Sequence, residues 1–282
     1  LRMDGVPWCE LGPRVFQALP FSSVLNVSPN LSEEITFRLG ALAIRFCGPS
    51  DLTWGRESYH VVADRLDMEM DRLPKRGRYN VRSGLQRFTT GAVEWSLAAR
   101  EGWRLRDETL NRQGRGDAET SMEWRRLCEI AAAVPGFVAW GASRGGRLCA
   151  LLIAAVDSKR RVASIYLQQS EDAALRDMVN NALAYSFCQS VFESGAADRV
   201  FYGMESLDAA PTVDEFKFHM GFRRVPVKQC VAVHPGLAAV GHWDLAPILQ
   251  RLGRFGSLKN FTNKMNGLLA VHRAGLRSER EL

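Results

Sequence analysis

The sequence predicts an α/β protein in which a mixed β-sheet is flanked by helices. Strand-like and helix-like segments alternate along the chain, and residues 137–170 hold three apolar runs separated by the short polar stretches SRGG and DSKRR. Two tight polar turns between apolar runs of this length are typical of an antiparallel meander. A long segment with apolar residues at helical spacing follows the meander. Together these features favour a sheet with helices packed on it.

The elements before the meander are predicted from composition and turn residues. β-branched and aromatic residues bounded by Gly, Pro and Asp indicate strands, and Pro74 is placed to open a helix. That helix contains Gly77 and Gly84, and each glycine costs about 1 kcal/mol relative to alanine. The polar linker RQGRGDAET, at 112–120, is a candidate domain boundary. The predicted elements are strands at 41–48 and 58–64 and helices from Pro74 through the basic run, at 94–112 and at 120–133.

The elements after the meander end in a basic tail. The tail from Trp243 to Leu282 carries seven basic and three acidic residues, and its apolar residues from 245 to 255 share one helical face. Such a basic amphipathic helix either packs on the body of the protein or binds RNA or an anionic membrane surface. The predicted elements before the tail are a long helix from about Ala173 to Phe192, a strand at 200–206, a short helix within 213–222 and a last strand at 227–235.

This order of elements resembles part of the GNAT acyltransferase fold. The resemblance covers about residues 120–235, and the segment VDEFKFHMGFRRVP is similar to the GNAT segment in which a helix ends at Gly-Phe and leads into the last strand. It implies a GNAT-like mixed sheet, with a reduced N-terminal GNAT half at 1–115, a full GNAT-like domain at 120–235 and a basic helical tail at 240–282. Residues 1–40 carry no recognisable motif.

Two departures from the acetyl-CoA-dependent GNAT enzymes indicate a different donor site. Those enzymes hold the pyrophosphate of CoA on backbone N–H groups of a glycine-containing loop before the long helix. This chain has QQSEDAALRD at 168–177, without glycine and with Glu171 and Asp172, which would repel a pyrophosphate. Many GNAT enzymes also have a tyrosine four residues before the glycine of the short helix, where this chain has Lys217.

Two segments resemble the Fem-type peptidyltransferases, which have twin GNAT domains and take their acyl group from aminoacyl-tRNA. One is Phe216-Lys217 followed shortly by Gly221, and the other is the basic segment that begins at Lys75. The resemblance implies an acyltransferase that forms an amide bond, with aminoacyl-tRNA as the donor and a small-molecule or peptide amine as the acceptor. Two alternatives remain: an acyl-CoA-dependent N-acyltransferase, and a catalytically inactive GNAT-like module that binds RNA or protein.

Candidate catalytic residues cluster in the short helix. Acyl transfer to an amine needs a neutral amine, stabilisation of the tetrahedral oxyanion and a proton for the leaving group. Lys217 can stabilise the oxyanion or the leaving oxygen by its charge, or position a phosphate nearby. Asp214 and Glu215 are candidate bases that serve equally well as helix caps, and His219 is a candidate acid or base. The aromatic residues for an acceptor pocket, with core packing as the competing interpretation, are Tyr202, Trp140, Trp54 and Tyr59.

The basic run KRGRYNVRSGLQR, at 75–87, has five positive charges and no carboxylate. Helical spacing puts Lys75, Arg78 and Arg82 on one face. Arginine offers a planar fork suited to phosphate, and lysine a mobile point charge. A solvated basic face is the alternative interpretation. The predicted ligands of the donor phosphates are Lys75, Arg78, Asn80 and Arg82.

The composition of the chain gives the remaining expectations, which concern charge, thiols, metal sites and localisation. The formal net charge of +6 fits an anionic partner. The six cysteines show no CxxC spacing and the histidines no metal-ligand pattern, which indicates reduced thiols and no metal site. No apolar stretch reaches the roughly twenty residues of a membrane span, and the N-terminus lacks a signal-peptide pattern. We therefore expect a cytoplasmic protein without a permanently bound cofactor, whose co-substrate is aminoacyl-tRNA or acyl-CoA.

Overall fold

A computed structural model describes residues 1–3, 5–114, 119–205, 212–234 and 236 of the chain. The described residues form two compact units, and each unit is built from more than one segment of the chain. The first boundary between them falls inside a strand, between His60 and Val61. The first unit contains the described residues up to His60, Met204 and Glu205, and those from Arg224 onward, and the second contains Val61 to Gly203 and 212 to Arg223. The predicted GNAT-like half at 1–115 and GNAT-like domain at 120–235 divide the fold in chain order, which is not how these two units divide it. The predicted domains stay a prediction. The predicted tail at 240–282 lies outside the described residues.

The described part of the first unit contains a sheet and the helix α1. Its elements are β1 (Arg2–Met3), β2 (Val6–Gly12), β3 (Val15–Ala18), α1 (Pro29–Arg38), β4 (Ala43–Gly48), the start of β5 (Arg56–Asp64) and most of β11 (Arg223–Val233). In the order β1-β2-β3-β4-β11, β3 runs parallel to β4 and β11 runs antiparallel to β4. The core is aromatic: Phe46 lies edge-on to Trp8 and Trp54, with ring centroids 6.5 and 5.6 Å away.

The second unit contains the predicted meander. Its strands are β6 (Thr89–Ala92), β7 (Phe137–Arg144), β8 (Arg147–Asp157), β9 (Val162–Ser170) and β10 (Arg199–Met204, of which Met204 belongs to the first unit). They lie in the order β10-β9-β8-β7-β6, and β7, β8 and β9 pair antiparallel. Its α-helices are α2 (Lys75–Arg87), α3 (Trp95–Arg112), α4 (Ser121–Ala133), α5 (Asp172–Leu175), α6 (Val179–Glu193) and α7 (Thr212–His219).

Helices cover both faces of this sheet. Ala139 of β7 packs with Leu105 of α3 and Trp124 of α4, all buried in one apolar cluster. The next residue, Trp140, points the other way, because successive strand residues alternate between faces. Its ring contacts Phe187 of α6, with centroids 6.2 Å apart. A mixed sheet flanked by helices is therefore confirmed.

The long helix predicted from Ala173 to Phe192 is not continuous. α5 ends at Leu175, and α6 begins after Met178, whose φ of 63° is left-handed. The prediction was wrong here because a left-handed methionine is rare and leaves no sequence signal comparable to glycine. The predicted basic helix is confirmed as α2.

The six cysteines are all free thiols, and only Cys9 among them is not buried. Burial raises the pKa of the Cys230 thiol to about 12, so it stays protonated at neutral pH. Among the described residues, no helix combines the length and the apolar character of a membrane span.

Candidate active site

The pairing of β9 with β10 ends halfway along β10 and after the third residue of β9. The two strands run parallel, and the last paired residues are Phe201 and Ser164. Beyond this point, the side chains of Tyr202 and Gln168 face each other, and the Tyr202 hydroxyl donates a hydrogen bond to the Gln168 Oε1. A side-chain bond thus takes the place of backbone pairing, which leaves an interruption between the strands.

Lys217 of α7 lies over this interruption. Its Nζ is 5.4 Å from the centre of the Tyr202 ring and donates to Asp214 Oδ1 at 2.8 Å. The side chains of Lys217 and Asp214 are only 12% and 9% exposed. In an ion pair shielded from water in this way, the two charges are stabilised mainly by each other and not by solvent. The spacing of three residues on one helix brings the two groups together.

Tyr202 is a neutral anchor in this cluster. Burial raises the pKa of its phenol far above the ordinary value, so the hydroxyl stays protonated as a hydrogen-bond donor. Its ring also packs on Phe222, with centroids 5.0 Å apart. Gly203 follows with φ of 118°, and a Cβ at this position would lie 3.9 Å from Lys217 Nζ. The Lys217 ammonium, paired with Asp214, therefore lies beside the end of β10, where it can donate to negative charge on a reacting oxygen.

The acidic side chains of the segment between β9 and α6 are paired with arginines. Glu171, whose side chain is 8% exposed, accepts from Arg104 at 2.8 Å and from Arg147 at 2.9 Å. Asp172 pairs with Arg112. The two acids that the sequence places before the long helix are therefore neutralised by arginines from α3 and β8.

Several backbone donors of the same segment already have acceptors. The N–H of Asp172 donates to the carboxylate of Glu108 at 2.9 Å. Backbone oxygens accept the N–H groups of Glu171, Ala174, Asp177 and Met178. A carboxylate thus accepts from the first residue of α5, a helix of four residues.

α2 shows its basic residues to solvent. Lys75 and Arg82 are exposed and Arg78 is half-buried, as the predicted common face requires. Asn80 is half-buried and lies about 140° around the helix from Lys75, so it is on a different side. Arg78 and Arg82 each approach the exposed carboxylate of Asp71, at 3.7 and 3.8 Å.

The two glycines of α2 allow a close approach to its neighbours. A Cβ on Gly77 would overlap the backbone oxygen of His219 at the end of α7. A Cβ on Gly84 would lie 2.5 Å from the backbone oxygen of Met178. The sequence-based cost of these glycines is therefore offset by packing of α2 against α6 and α7.

The remaining predicted residues lie apart from Lys217. Trp140 is on β7, three strands from β10, and its Nε1 donates to Ser186 at 2.9 Å. Glu215 is exposed, and His219 is half-buried beside α2. In the first unit, Trp54 is buried in the core and Tyr59 packs under the guanidinium of Arg224. The structure brings together Lys217, Asp214 and Tyr202, and their predicted roles stay predictions.

Sequence reasoning missed Gln168 and Glu108. Gln168 was noted only as the start of a loop, and the alternation of side chains along a strand gave no sign that it meets Tyr202. Glu108 lies 64 positions from Asp172. No local motif reports a contact over that distance.

A surface cavity of about 370 Å³ opens at Arg199, at the other end of β10 from Tyr202. Two of its three arginines are matched by acids: Arg199 pairs with Asp64 at 3.0 Å, and Arg161 pairs with Asp198. We place no substrate there. Among the described residues, no group of three or more His, Cys, Asp or Glu side chains is arranged to hold a metal ion.

Solved structures share this architecture. FemX superposes with a TM-score of 0.56 at 9% identity, over 83% of this chain and 86% of FemX. The fold is GNAT-like. The C-terminal domain of a candidate lysylphosphatidylglycerol synthetase from Agrobacterium fabrum superposes with a TM-score of 0.53 at 16% identity, over 83% and 82% of the two chains. L-PGS from Bacillus licheniformis gives 0.51 at 15% identity, over 81% and 80%.

No protein-family model matches the GNAT-like chain, and no sequence among the curated proteins matches it. Identities this low establish the fold and leave the reaction open, because one fold carries many functions.

Proposed function

We propose that the chain is an acyltransferase that forms an amide bond, with aminoacyl-tRNA as the donor and an amine as the acceptor. The observation that carries the choice of donor is the hydrogen bond from the Asp172 N–H to the Glu108 carboxylate. It adds a negative group to the segment that, by the GNAT resemblance, corresponds to the pyrophosphate loop of acetyl-CoA-dependent enzymes. A donor whose phosphates bind elsewhere avoids this repulsion.

The reaction follows from the chemistry of an aminoacyl ester. The acceptor nitrogen attacks the ester carbonyl carbon, so a C–N bond forms and the bond to the ribose oxygen breaks. The nitrogen loses a proton and the ribose oxygen gains one. Lys217 stabilises the negative charge on the carbonyl oxygen or on the leaving oxygen, and Asp214 holds its ammonium in place.

The cationic face of α2 supplies the site for the donor phosphates. Lys75, Arg76 and Arg82 are exposed, and the helix contains no acidic residue. Nucleic acid binding to such a face weakens as salt rises, because bound cations are released from the phosphates. The Fem-type resemblance of this segment and of Lys217 supports the same donor.

A second candidate function is acyl-CoA-dependent N-acyl transfer. One observation favours it: arginines from α2, α3, β7 and β8 surround the segment between β9 and α6, and they are Arg87, Arg104, Arg112, Arg144 and Arg147. These side chains would hold a pyrophosphate if their carboxylate partners, which are Glu108, Glu171, Asp172 and Asp177, released them. That rearrangement must break shielded ion pairs, which disfavours it.

Transfer from a mixed pool of radiolabelled aminoacyl-tRNA to a panel of primary amines tests the reaction. We expect Lys217→Ala to lower the transfer rate about 10²- to 10³-fold, the effect of removing one group that stabilises an oxyanion. Donor affinity should change little, because Lys217 is assigned to the reacting atoms. Lys159→Ala, in the turn between β8 and β9, removes an exposed lysine as a control. Unchanged transfer by the Lys217 variant would refute the assigned role, and absence of transfer by the wild type would favour an inactive binding module.

A further inference from the structure

α2 carries one exposed aromatic ring in the middle of its cationic face. Tyr79 is 70% exposed. Residues three and four positions away on a helix are its surface neighbours, and here they include Lys75, Arg76 and Arg82. All three are exposed. An exposed aromatic side chain among cations is suited to a ligand that has both a flat surface and negative charge.

The ring is not a remnant of core packing. α2 packs on the body through Gly77, Val81 and Gly84, which are buried. At 100° per residue, Tyr79 lies about 160° from Gly77 and on the opposite side of the helix. Nothing in the fold of the second unit requires an aromatic residue at this position.

A bilayer surface fits this face poorly. A helix that lies in a membrane interface inserts its apolar face between the lipids. The apolar face of α2 is already buried against the protein. Besides Tyr79, the large apolar residue that α2 exposes is Leu85, at 36%. A single ring surrounded by cations instead matches the surfaces that bind single-stranded nucleic acid, where bases stack on aromatic side chains and cations follow the backbone.

We propose that Tyr79 is a stacking platform for an unpaired base of the donor's single-stranded 3′ end, flanked by phosphate contacts from Lys75, Arg76 and Arg82. This inference rests on the proposed function and deepens it, since it places a base as well as phosphates on α2. The nearby acid, Asp71, is 89% exposed and approaches Arg78 and Arg82 at 3.7 and 3.8 Å. Pairs this exposed are weak, so Asp71 leaves the cations available.

Binding measurements on the full chain test the inference with three probes: a 12-nucleotide single-stranded RNA of mixed sequence, a blunt RNA duplex of the same length, and phosphatidylglycerol vesicles. Tyr79→Ala should weaken single-strand binding about tenfold, the typical effect of losing one stacked base. Tyr79→Phe should stay within about twofold of wild type, because the ring is kept. Duplex binding and the salt dependence should not change, because the cations are intact.

Phe37→Ala provides the matched control. Phe37 is 69% exposed on α1, but Glu33 and Glu34 are its neighbours one turn earlier. This variant should bind all probes as the wild type does. Because Tyr79 and Phe37 are both exposed, neither substitution threatens folding, and thermal unfolding verifies this.

The possible failures are distinguishable. If Tyr79→Ala binds single-stranded RNA like the wild type while Lys75→Ala and Arg82→Ala bind it more weakly, the stacking inference is wrong and the phosphate site stands. If the wild type binds no RNA, the proposed donor fails together with the inference. If vesicles bind more tightly than RNA and Tyr79→Ala reduces that binding, the ring is a lipid contact and the inference is overturned.

Discussion

α2 carries five basic residues and no carboxylate, whereas the segment between β9 and α6 is surrounded by arginines that face acids. On α2, Arg78 and Arg82 approach the exposed carboxylate of Asp71 at 3.7 and 3.8 Å, and Arg87 approaches Asp177 at 3.9 Å. In the other region, Glu171 is nearly buried between two arginines. Both regions are rich in arginine, but the arginines of α2 are more available to an anionic ligand than those around Glu171. The position of the carboxylates, not the number of cations, decides which surface can receive an anionic donor.

Removal of the two arginines that pair with Glu171 should have the largest effect on stability. Arg104→Ala combined with Arg147→Ala leaves the Glu171 carboxylate nearly buried without its arginine partners. We expect a loss of about 3 kcal/mol in the free energy of unfolding, the cost of leaving a nearly buried charged group without its partners. Arg76→Ala combined with Arg82→Ala on α2 should cost less than about 0.5 kcal/mol. Urea denaturation at pH 7 measures both.

A third substitution tests whether the loss of stability comes from the unpaired charge of Glu171. Glu171→Gln added to the double variant removes the unpaired charge, so it should restore part of the lost stability. No restoration would show that the arginines act through packing of their side chains rather than through their charges.

Stability should also depend on pH through His60, and that effect has to be separated from the ion pairs. Burial lowers the pKa of His60 to about 4 from its ordinary 6.5. Between these values the unfolded chain binds a proton that the folded chain excludes, so stability falls as pH falls through this window. The loss between pH 7 and pH 5 should be about 2 kcal/mol. His60→Gln should show a smaller loss over the same range in urea denaturation, and an equal loss would contradict the assignment.

Removal of the acid beside α2 should have the smallest effect. Asp71→Asn takes away the carboxylate that approaches Arg78 and Arg82. An exposed pair contributes at most about 1 kcal/mol, so RNA affinity should rise by no more than about fivefold. Glu69→Gln, which removes the partner of Arg72 outside α2, is the matched control. A decrease in affinity for Asp71→Asn would mean that Asp71 orders the arginines rather than competing for them.

The sequence predicted the meander and α2 to α4 because their apolar runs are long and bounded by clear turn residues. β1 to β3 were missed, since they are short and Pro and Gly interrupt their alternation. At the site, the sequence singled out Lys217, Asp214 and Tyr202, but their meeting depends on tertiary structure. The same holds for Glu171 and Asp172, whose arginine partners lie far away in the chain. Gly77 and Gly84 looked like costs to a helix until their close contacts were known.

Equilibrium binding of two donors to the purified chain tests the central claim most directly. A mixed aminoacyl-tRNA pool and acetyl-CoA are compared at 50 and 200 mM salt, with the Lys75, Arg78, Arg82 triple alanine variant alongside. Alanine at Arg100, Arg125 and Arg126 removes three exposed cations elsewhere in the same unit as a control. We predict tRNA binding that weakens with salt and with the α2 variant only, the salt slope falling by about 2–3. Tight acetyl-CoA binding with indifference to tRNA would contradict the account and assign the donor to the arginines around Glu171.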